Sequence, residues 1–245
     1  MPSPLGPRAH LLTSPNRLPL IAPSILSADF ANMGRDCAHI LGSGADLLHL
    51  DVMDGHFVPN LTMGPDLCKS LRRTLPDAFL DVHLMVTNPG QFVAPFAAAG
   101  ADLLTFHIEA VRTPEQVREL ASEIRSRGIL VGLAINPPTP MEALEPVLAD
   151  RAVLDLLDMV LVMSVNPGYS GQKFIAEVLT KAARVREIAR KCKPGLRIQM
   201  DGGVAPANAQ AVRDAGVDVL VAASAIFGQP AEHRGSVVAQ LRGSA

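Results

Sequence analysis

GADLLTFHIEAVRTPEQVRELASEIRSRGILVGLAI, residues 100–135, is the stretch whose reading decides the fold. It opens with DLLTFH (102–107), a short apolar run of strand length. The period then changes. In PEQVRELASEIRSRG (114–128) Val117, Leu120 and Ile124 fall at i, i+3 and i+7, one face of a helix. Gly128 stands where a glycine closes a helix. ILVGLAI (129–135) is again an apolar run, so the unit reads strand, helix, strand. Two strands joined by a crossover helix lie parallel in one sheet.

Working outward, the same rhythm fills the chain from Leu20. The runs read as strands are 20–25 (LIAPSI), 46–52 (DLLHLDV), 79–85 (FLDVHLM), 102–107, 129–135, 157–163 (LDMVLVM), 196–200 (LRIQM) and 218–222 (DVLVA). Eight such units without a break in composition predict one α/β domain over 20–245, a closed (β/α)8 or TIM barrel. An open doubly wound sheet is the alternative. It would carry a Gly-rich turn after the first strand, and the turn here reads SILSADF (24–30). A quasi-repeat, G-A-D-L or G-V-D-V, precedes strands two, four and eight at Gly44, Gly100 and Gly216. The length, 245 residues, suits one such barrel, which typically needs about 250.

Composition narrows the function classes. The formal net charge is −2 and 19% of residues are charged, so there is no basic surface of the kind that grips nucleic acid. No apolar run reaches the roughly 18 residues of a membrane span. Cys37, Cys68 and Cys192 are odd in number and form no CxxC pair, which favours a reduced compartment and a cytoplasmic protein. Residues 1–19 hold five prolines and no continuous apolar stretch. They predict a disordered extension rather than a signal peptide.

In a barrel of this kind the active site lies at the C-terminal ends of the strands. Strand two ends HLDVMDG, and alternation puts His49, Asp51 and Met53 on one face. Strand three ends DVHLM, with His83 and Met85 sharing a face; strand seven ends at Asp201. Singly, a strand histidine is more often a satisfied polar residue than a ligand, and an aspartate after a strand is often a helix cap. Together, two imidazoles and two carboxylates at three strand ends suit zinc, iron, manganese or cobalt. A barrel centre is apolar, and a bound cation offsets the cost of charge there. Met53, Met85 and Met163 also fall at strand ends, and spacing alone leaves them as core filler or as pocket lining. His107 and Glu109 share a face after strand four and read as structural or as support for the site. Gly-rich turns follow strand six (Gly168–Gly171) and strand seven (Gly202, Gly203), and Ala223–Ser224 follows strand eight. Backbone N–H groups in such turns bind phosphate in many barrels.

The segments IAPSILSADF (21–30), HLDVMDGHFVPN (49–60), DVHLMV (81–86), MSVNPGYSGQKF (163–174), DGGV (201–204) and ASAIF (223–227) resemble, in this order, those of ribulose-phosphate 3-epimerases. The resemblance runs from about Ile21 to Phe227. It implies reversible interconversion of D-ribulose 5-phosphate and D-xylulose 5-phosphate, a reaction of both the pentose phosphate pathway and the Calvin cycle. It implies one divalent cation per chain on His49, Asp51, His83 and Asp201, with Asp51 and Asp201 exchanging the carbon-3 proton on opposite faces. It casts Ser24 and His83 as substrate contacts, with Ser24 as a helix cap the plainer reading. It makes Met53, Met85 and Met163 an apolar collar. Gly168, Tyr169, Ser170, Gly171, Asp201, Gly202, Gly203, Ala223 and Ser224 become the rest of the substrate site. It also implies a homo-oligomer. Two places depart from the family pattern: Gly168-Tyr169-Ser170-Gly171 stands where GFGG is usual, and Ala223-Ser224 where GS is usual. Backbone donors survive both changes; Ala223 would be strained only at positive φ.

Three other readings compete. An epimerase of another ketose phosphate, such as allulose 6-phosphate, would share the metal site. A barrel decarboxylase or Schiff-base aldolase would need a strand-end lysine, and none of Lys69, Lys173, Lys181, Lys191 and Lys193 ends a strand. A non-catalytic sugar-phosphate-binding barrel would not need both Asp51 and Asp201.

Overall fold

A computed structural model describes residues 4–111 and 113–244. Among them eight strands form one parallel sheet: β1 Leu20–Pro23, β2 Leu48–Met53, β3 Leu80–Met85, β4 Leu103–His107, β5 Leu130–Ile135, β6 Met159–Met163, β7 Arg197–Asp201 and β8 Val219–Ala222. Neighbours pair in chain order, and β8 pairs back onto β1. The ring closes between β1 and β2 through a parallel bridge, Ser24 to His49. All eight expected strands are present, several starting one or two residues later than the apolar runs suggest.

The helix over Pro114–Ser126 shows why the local sequence folds as it does. Thr113 accepts a hydrogen bond from the Gln116 N–H, Pro114 occupies the first turn, and Val117, Leu120 and Ile124 are buried against the sheet. Gly128 then takes φ +75°. Along the strands, alternate residues divide between two cores. Leu48, Leu50 and Val52 pack outward against the helices, while His49, Asp51 and Met53 face the barrel axis.

The starts of the even-numbered strands share one device. Asp46, Asp102, Asp158 and Asp218 precede β2, β4, β6 and β8. Their carboxylates accept from the backbone N–H of Ile21, Leu80, Val131 and Ile198 at 2.8–2.9 Å. Each also meets an arginine: Arg242 and Arg17 on Asp46, Arg72 and Arg8 on Asp102, Arg125 on Asp158, Arg186 on Asp218. The quasi-repeat therefore has a physical content, the clamping of every second strand start to its neighbour. A fourth copy, before β6, was not visible as G-A-D-L because leucines stand where the glycine and alanine would be.

The expected disordered extension is corrected over residues 4–19; residues 1–3 lie outside the described residues. The segment lies across the lower mouth of the barrel, where the strands begin. Its short helix, His10–Thr13, buries Leu12, and Ala9 beside it is buried as well. These two pack with Leu20, Leu47, Phe79, Leu103, Leu130, Met159 and Val219, the lowest layer of the interior. Arg8 donates to Asp102 at 2.8 Å, and Arg197 of β7 donates to the Leu12 carbonyl at 2.8 Å. Proline density misleads here because only Ala9 and Leu12 need to be apolar to cover the opening.

Candidate active site

The opposite mouth is built by strand ends and the loops that follow them. On β2, His49 and Asp51 point inward; on β3, Asp81 and His83; on β7, Gln199 and Asp201. The His49 Nε2 atom lies 3.4 Å from an Asp51 carboxylate oxygen and 3.9 Å from one of Asp201. The His83 Nδ1 atom lies 3.3 Å and 3.8 Å from the same two oxygens. Four ligand atoms at about 2.1 Å from a common centre would stand about 3.4 Å apart in a tetrahedron, so the set fits a small divalent cation.

Two further observations support that fit. Asp81, fully buried below the site, accepts from His49 Nδ1 at 2.7 Å and from Gln199 Nε2 at 2.7 Å. This fixes the His49 proton on Nδ1 and turns a bare Nε2 toward the carboxylates. That Nε2 atom is buried and has no hydrogen-bond partner in the protein. A buried polar atom without a partner is costly unless something binds it. Ser24 donates to the other Asp51 oxygen at 2.5 Å and accepts from the Leu26 N–H at 3.3 Å. The plainer reading of Ser24 as a cap therefore holds, and the hydroxyl also anchors Asp51.

The two aspartates differ in proton affinity. Burial raises both, but for Asp51 the neighbouring imidazoles of His49 and His83 outweigh it and hold the carboxyl far below the usual range. Asp201 is pushed up to about 7, by burial and then by the negative charge of Asp51. His83 is lowered to about 4, chiefly by burial, and is neutral at physiological pH. A bound cation would favour the ionised form of both carboxyls.

Above these groups opens a pocket with a cavity volume of about 50 Å³. Ser24, Asp51, Met53, Met85, Met163 and Asp201 line it, together with Gly168, Tyr169, Ser170, Gly171, Gly202, Gly203, Ala223 and Ser224. Every residue expected to touch substrate thus reaches one cavity except His83, which lies beneath it with His49, both fully buried. The sequence reading missed Leu26, Val165, Pro167, Gln172, Val204 and Val221, which also line the pocket. Val165 and Gln172 sit inside the motif already singled out, but nothing in their type or spacing marked them. No lysine lines the pocket among the described residues, which removes the Schiff-base alternative.

The turns after β6 and β7 need glycine for contact as well as conformation. A Cβ on Gly202 would lie 2.4 Å from the Val165 side chain, and one on Gly203 would lie 2.8 Å from the Gln172 carbonyl. Both glycines have positive φ. Ala223 has φ −105°, so alanine sits there without left-handed strain. Asn60 donates to the Gly168 carbonyl at 2.8 Å, and Gln172 donates to the carbonyls of Asn166 and Tyr169, so the loop after β6 is tied down on both sides. Asp54 was also missed. It accepts from the N–H groups of His56, Phe57 and Thr87 and from the Thr87 hydroxyl, joining the loops after β2 and β3.

Residues 20–227 match the ribulose-phosphate 3 epimerase family. The chain is 48% identical to the ribulose-phosphate 3-epimerase of Escherichia coli strain K12, over 86% of this chain and 90% of that one. It is 44% identical to the Bacillus subtilis enzyme of the same name, over 91% and 98%. It is also 44% identical to a rice protein named as the cytoplasmic isoform, over 91% and 93%. Among solved structures, the 3-keto-L-gulonate-6-phosphate decarboxylase of Vibrio cholerae superposes with a TM-score of 0.67, covering 93% of this chain and 97% of that one, at 15% identity. That likeness speaks for the barrel fold alone.

Proposed function

The chain belongs to the ribulose-phosphate 3-epimerase family, and from that premise we propose that it interconverts D-ribulose 5-phosphate and D-xylulose 5-phosphate through Asp51 and Asp201. The observation that carries the reading is the convergence of these two carboxyls on one pocket, from β2 and β7, with unequal proton affinities. Inversion at carbon 3 needs a proton taken from one face and another delivered to the opposite face. Asp51, the readily ionised member, accepts the first; Asp201, the readily protonated member, donates the second. The roles exchange in the reverse direction.

A divalent cation held by His49, Asp51, His83 and Asp201, of the zinc, iron, manganese or cobalt class, would supply Lewis-acid stabilisation of the negative charge that develops on the substrate oxygens. Ser24 holds Asp51 in place through its hydroxyl. Met53, Met85 and Met163 form the collar that keeps water from the reacting carbon and strengthens local electrostatics. The loop over 168–171, with Gly202, Gly203, Ala223 and Ser224, takes the phosphate through backbone N–H groups. No helix among the described residues is long and apolar enough to cross a membrane, and two of the three free cysteines are buried. We assign the chain to the cytoplasm. The exposed side chains of Phe30 and Leu61 support a homo-oligomer.

The test is proton exchange. In deuterated water, turnover of ribulose 5-phosphate should place deuterium on carbon 3 of xylulose 5-phosphate, and protein prepared without chelator should carry one divalent cation per chain. Failure to incorporate deuterium would remove the epimerase reading.

A further inference from the structure

Behind His83 runs a buried chain of groups that the reaction above does not use. His83 presents Nδ1 toward Asp51 and Asp201, and its other nitrogen, Nε2, lies 2.8 Å from Nε2 of His107. His107 is fully buried, with the Phe57 ring packed on it at 4.9 Å between centroids. Its Nδ1 lies 3.1 Å from one carboxylate oxygen of Glu109. The second Glu109 oxygen accepts from the Asn136 N–H at 2.8 Å and from the Thr139 hydroxyl at 2.5 Å.

We propose that His107 and Glu109 are positioning residues that fix the proton of His83 on Nε2 and so leave Nδ1 bare for a cation. The inference rests on the reading of His83 as a ligand. Two imidazole nitrogens 2.8 Å apart can share one proton, and a neutral ring carries its proton on one nitrogen only. Glu109 decides which arrangement holds. Its carboxylate accepts hydrogen bonds, so the His107 proton sits on Nδ1, facing it. His107 Nε2 is then a lone pair and must accept, and His83 Nε2–H is the donor. The opposite arrangement sets the His107 Nδ1 lone pair against the Glu109 carboxylate. His49 gains the same service in one step, because Asp81 accepts directly from its Nδ1. The two ligands therefore offer opposite ring nitrogens, and each needs its own device. Sequence spacing places His107 and Glu109 together, but only the structure points them at His83.

The experiment uses the full chain loaded with zinc and labelled with 15N at histidine. The expected spectrum has His107 neutral with its proton on Nδ1, and a coupling across the hydrogen bond between the Nε2 atoms of His83 and His107. A proton on His107 Nε2 overturns the proposal. Zinc affinity by chelator competition gives a second reading. His107→Phe keeps a ring and removes the acceptor; affinity should fall roughly 10–100-fold, the usual cost of losing a partner behind a ligand. His107→Gln offers an amide oxygen to the same N–H and should recover most of the loss. Equal weakening in both variants would reduce His107 to packing and overturn the proposal. Zinc binding that His83→Ala abolishes and His107→Phe leaves intact sinks the relay alone. A parent protein that binds no zinc sinks the ligand reading and the relay with it.

Discussion

At the lower mouth of the barrel Asp46, Asp102, Asp158 and Asp218 each meet at least one arginine and one backbone N–H. At the upper mouth Asp51 and Asp201 meet no lysine or arginine among the described residues; their neighbours are two imidazoles, each other and, on Asp51, the Ser24 hydroxyl. The lower carboxylates are satisfied and hold strands together. No guanidinium or ammonium group among the described residues balances the upper ones, and one of the two is pushed up to about 7. The difference separates stability from function along a single axis. Charge compensated by the protein is scaffold, and charge left for a ligand is site. Substitutions at the two mouths should therefore split cleanly in what they damage.

The largest effect belongs to the upper mouth. Asp51→Asn and Asp201→Asn, compared at verified metal occupancy, should each lower epimerisation by at least the ~10²–10⁴-fold typical of losing a general base. In the metal-free state melting temperature should hold or rise for Asp201→Asn, because that change removes a buried carboxyl whose ionised form burial and Asp51 disfavour. A metal-loaded variant turning over at near the parent rate would mean that a different residue moves the proton.

Asp102→Ala should show the reverse pattern. It leaves the Leu80 N–H without its acceptor and removes the carboxylate that pairs with Arg72 and Arg8. Breaking a largely buried pair costs about 3 kcal/mol or more, which for a chain of this size lowers melting by roughly 6–12 °C. Turnover per folded molecule at 25 °C should stay near the parent value. A sharp loss of kcat without loss of stability would break the division between the mouths.

Leu12→Ala tests the same division where the sequence reading failed. A disordered tail predicts no change, whereas the buried Leu12 predicts destabilisation of about 2 kcal/mol, the low end for such a truncation because a short surface helix can settle. Deleting residues 1–19 should act in the same direction, since it uncovers Leu20, Leu103, Leu130 and Val219. Thermal melting of both variants decides between tail and plug.

The contrast between the mouths also explains what the sequence made legible. The upper site could be read because its chemistry is written locally: His49 and Asp51 alternate on one strand, and His83 and Asp201 end two others. The lower clamps could be read only in part. Gly44, Gly100 and Gly216 mark three of them through the φ > 0 that each turn requires, but Asp158 has no such glycine. Its arginine, Arg125, lies 33 residues away in sequence. The plug escaped because burial of Leu12 is a property of the opening it covers, not of the helix it sits in. The direction in which His107 and Glu109 act escaped for the same reason. Long-range partners carry no period.

The smallest effect concerns Ala223, where this chain departs from the glycine usual in its family. The residue lines the pocket beside Gly202, Gly203 and Ser224, and its φ of −105° lies outside the region that demands glycine. The family glycine is therefore not needed here for backbone conformation, which leaves close approach of a ligand as the constraint. Ala223→Gly removes one methyl group and should change KM for ribulose 5-phosphate by less than about threefold, with kcat unchanged. Ala223→Leu adds three carbons to a site whose backbone N–H groups must come within hydrogen-bonding distance of phosphate. Overpacking of this kind costs about 1–3 kcal/mol, so KM should rise roughly 5–140-fold. Melting temperature should move little, because the addition projects into the cavity rather than into the core. A leucine variant with an unchanged KM would place the phosphate away from the β8 turn. It would leave the loop over 168–171, with Tyr169 and Ser170 at its tip, as the part of the upper mouth that holds it.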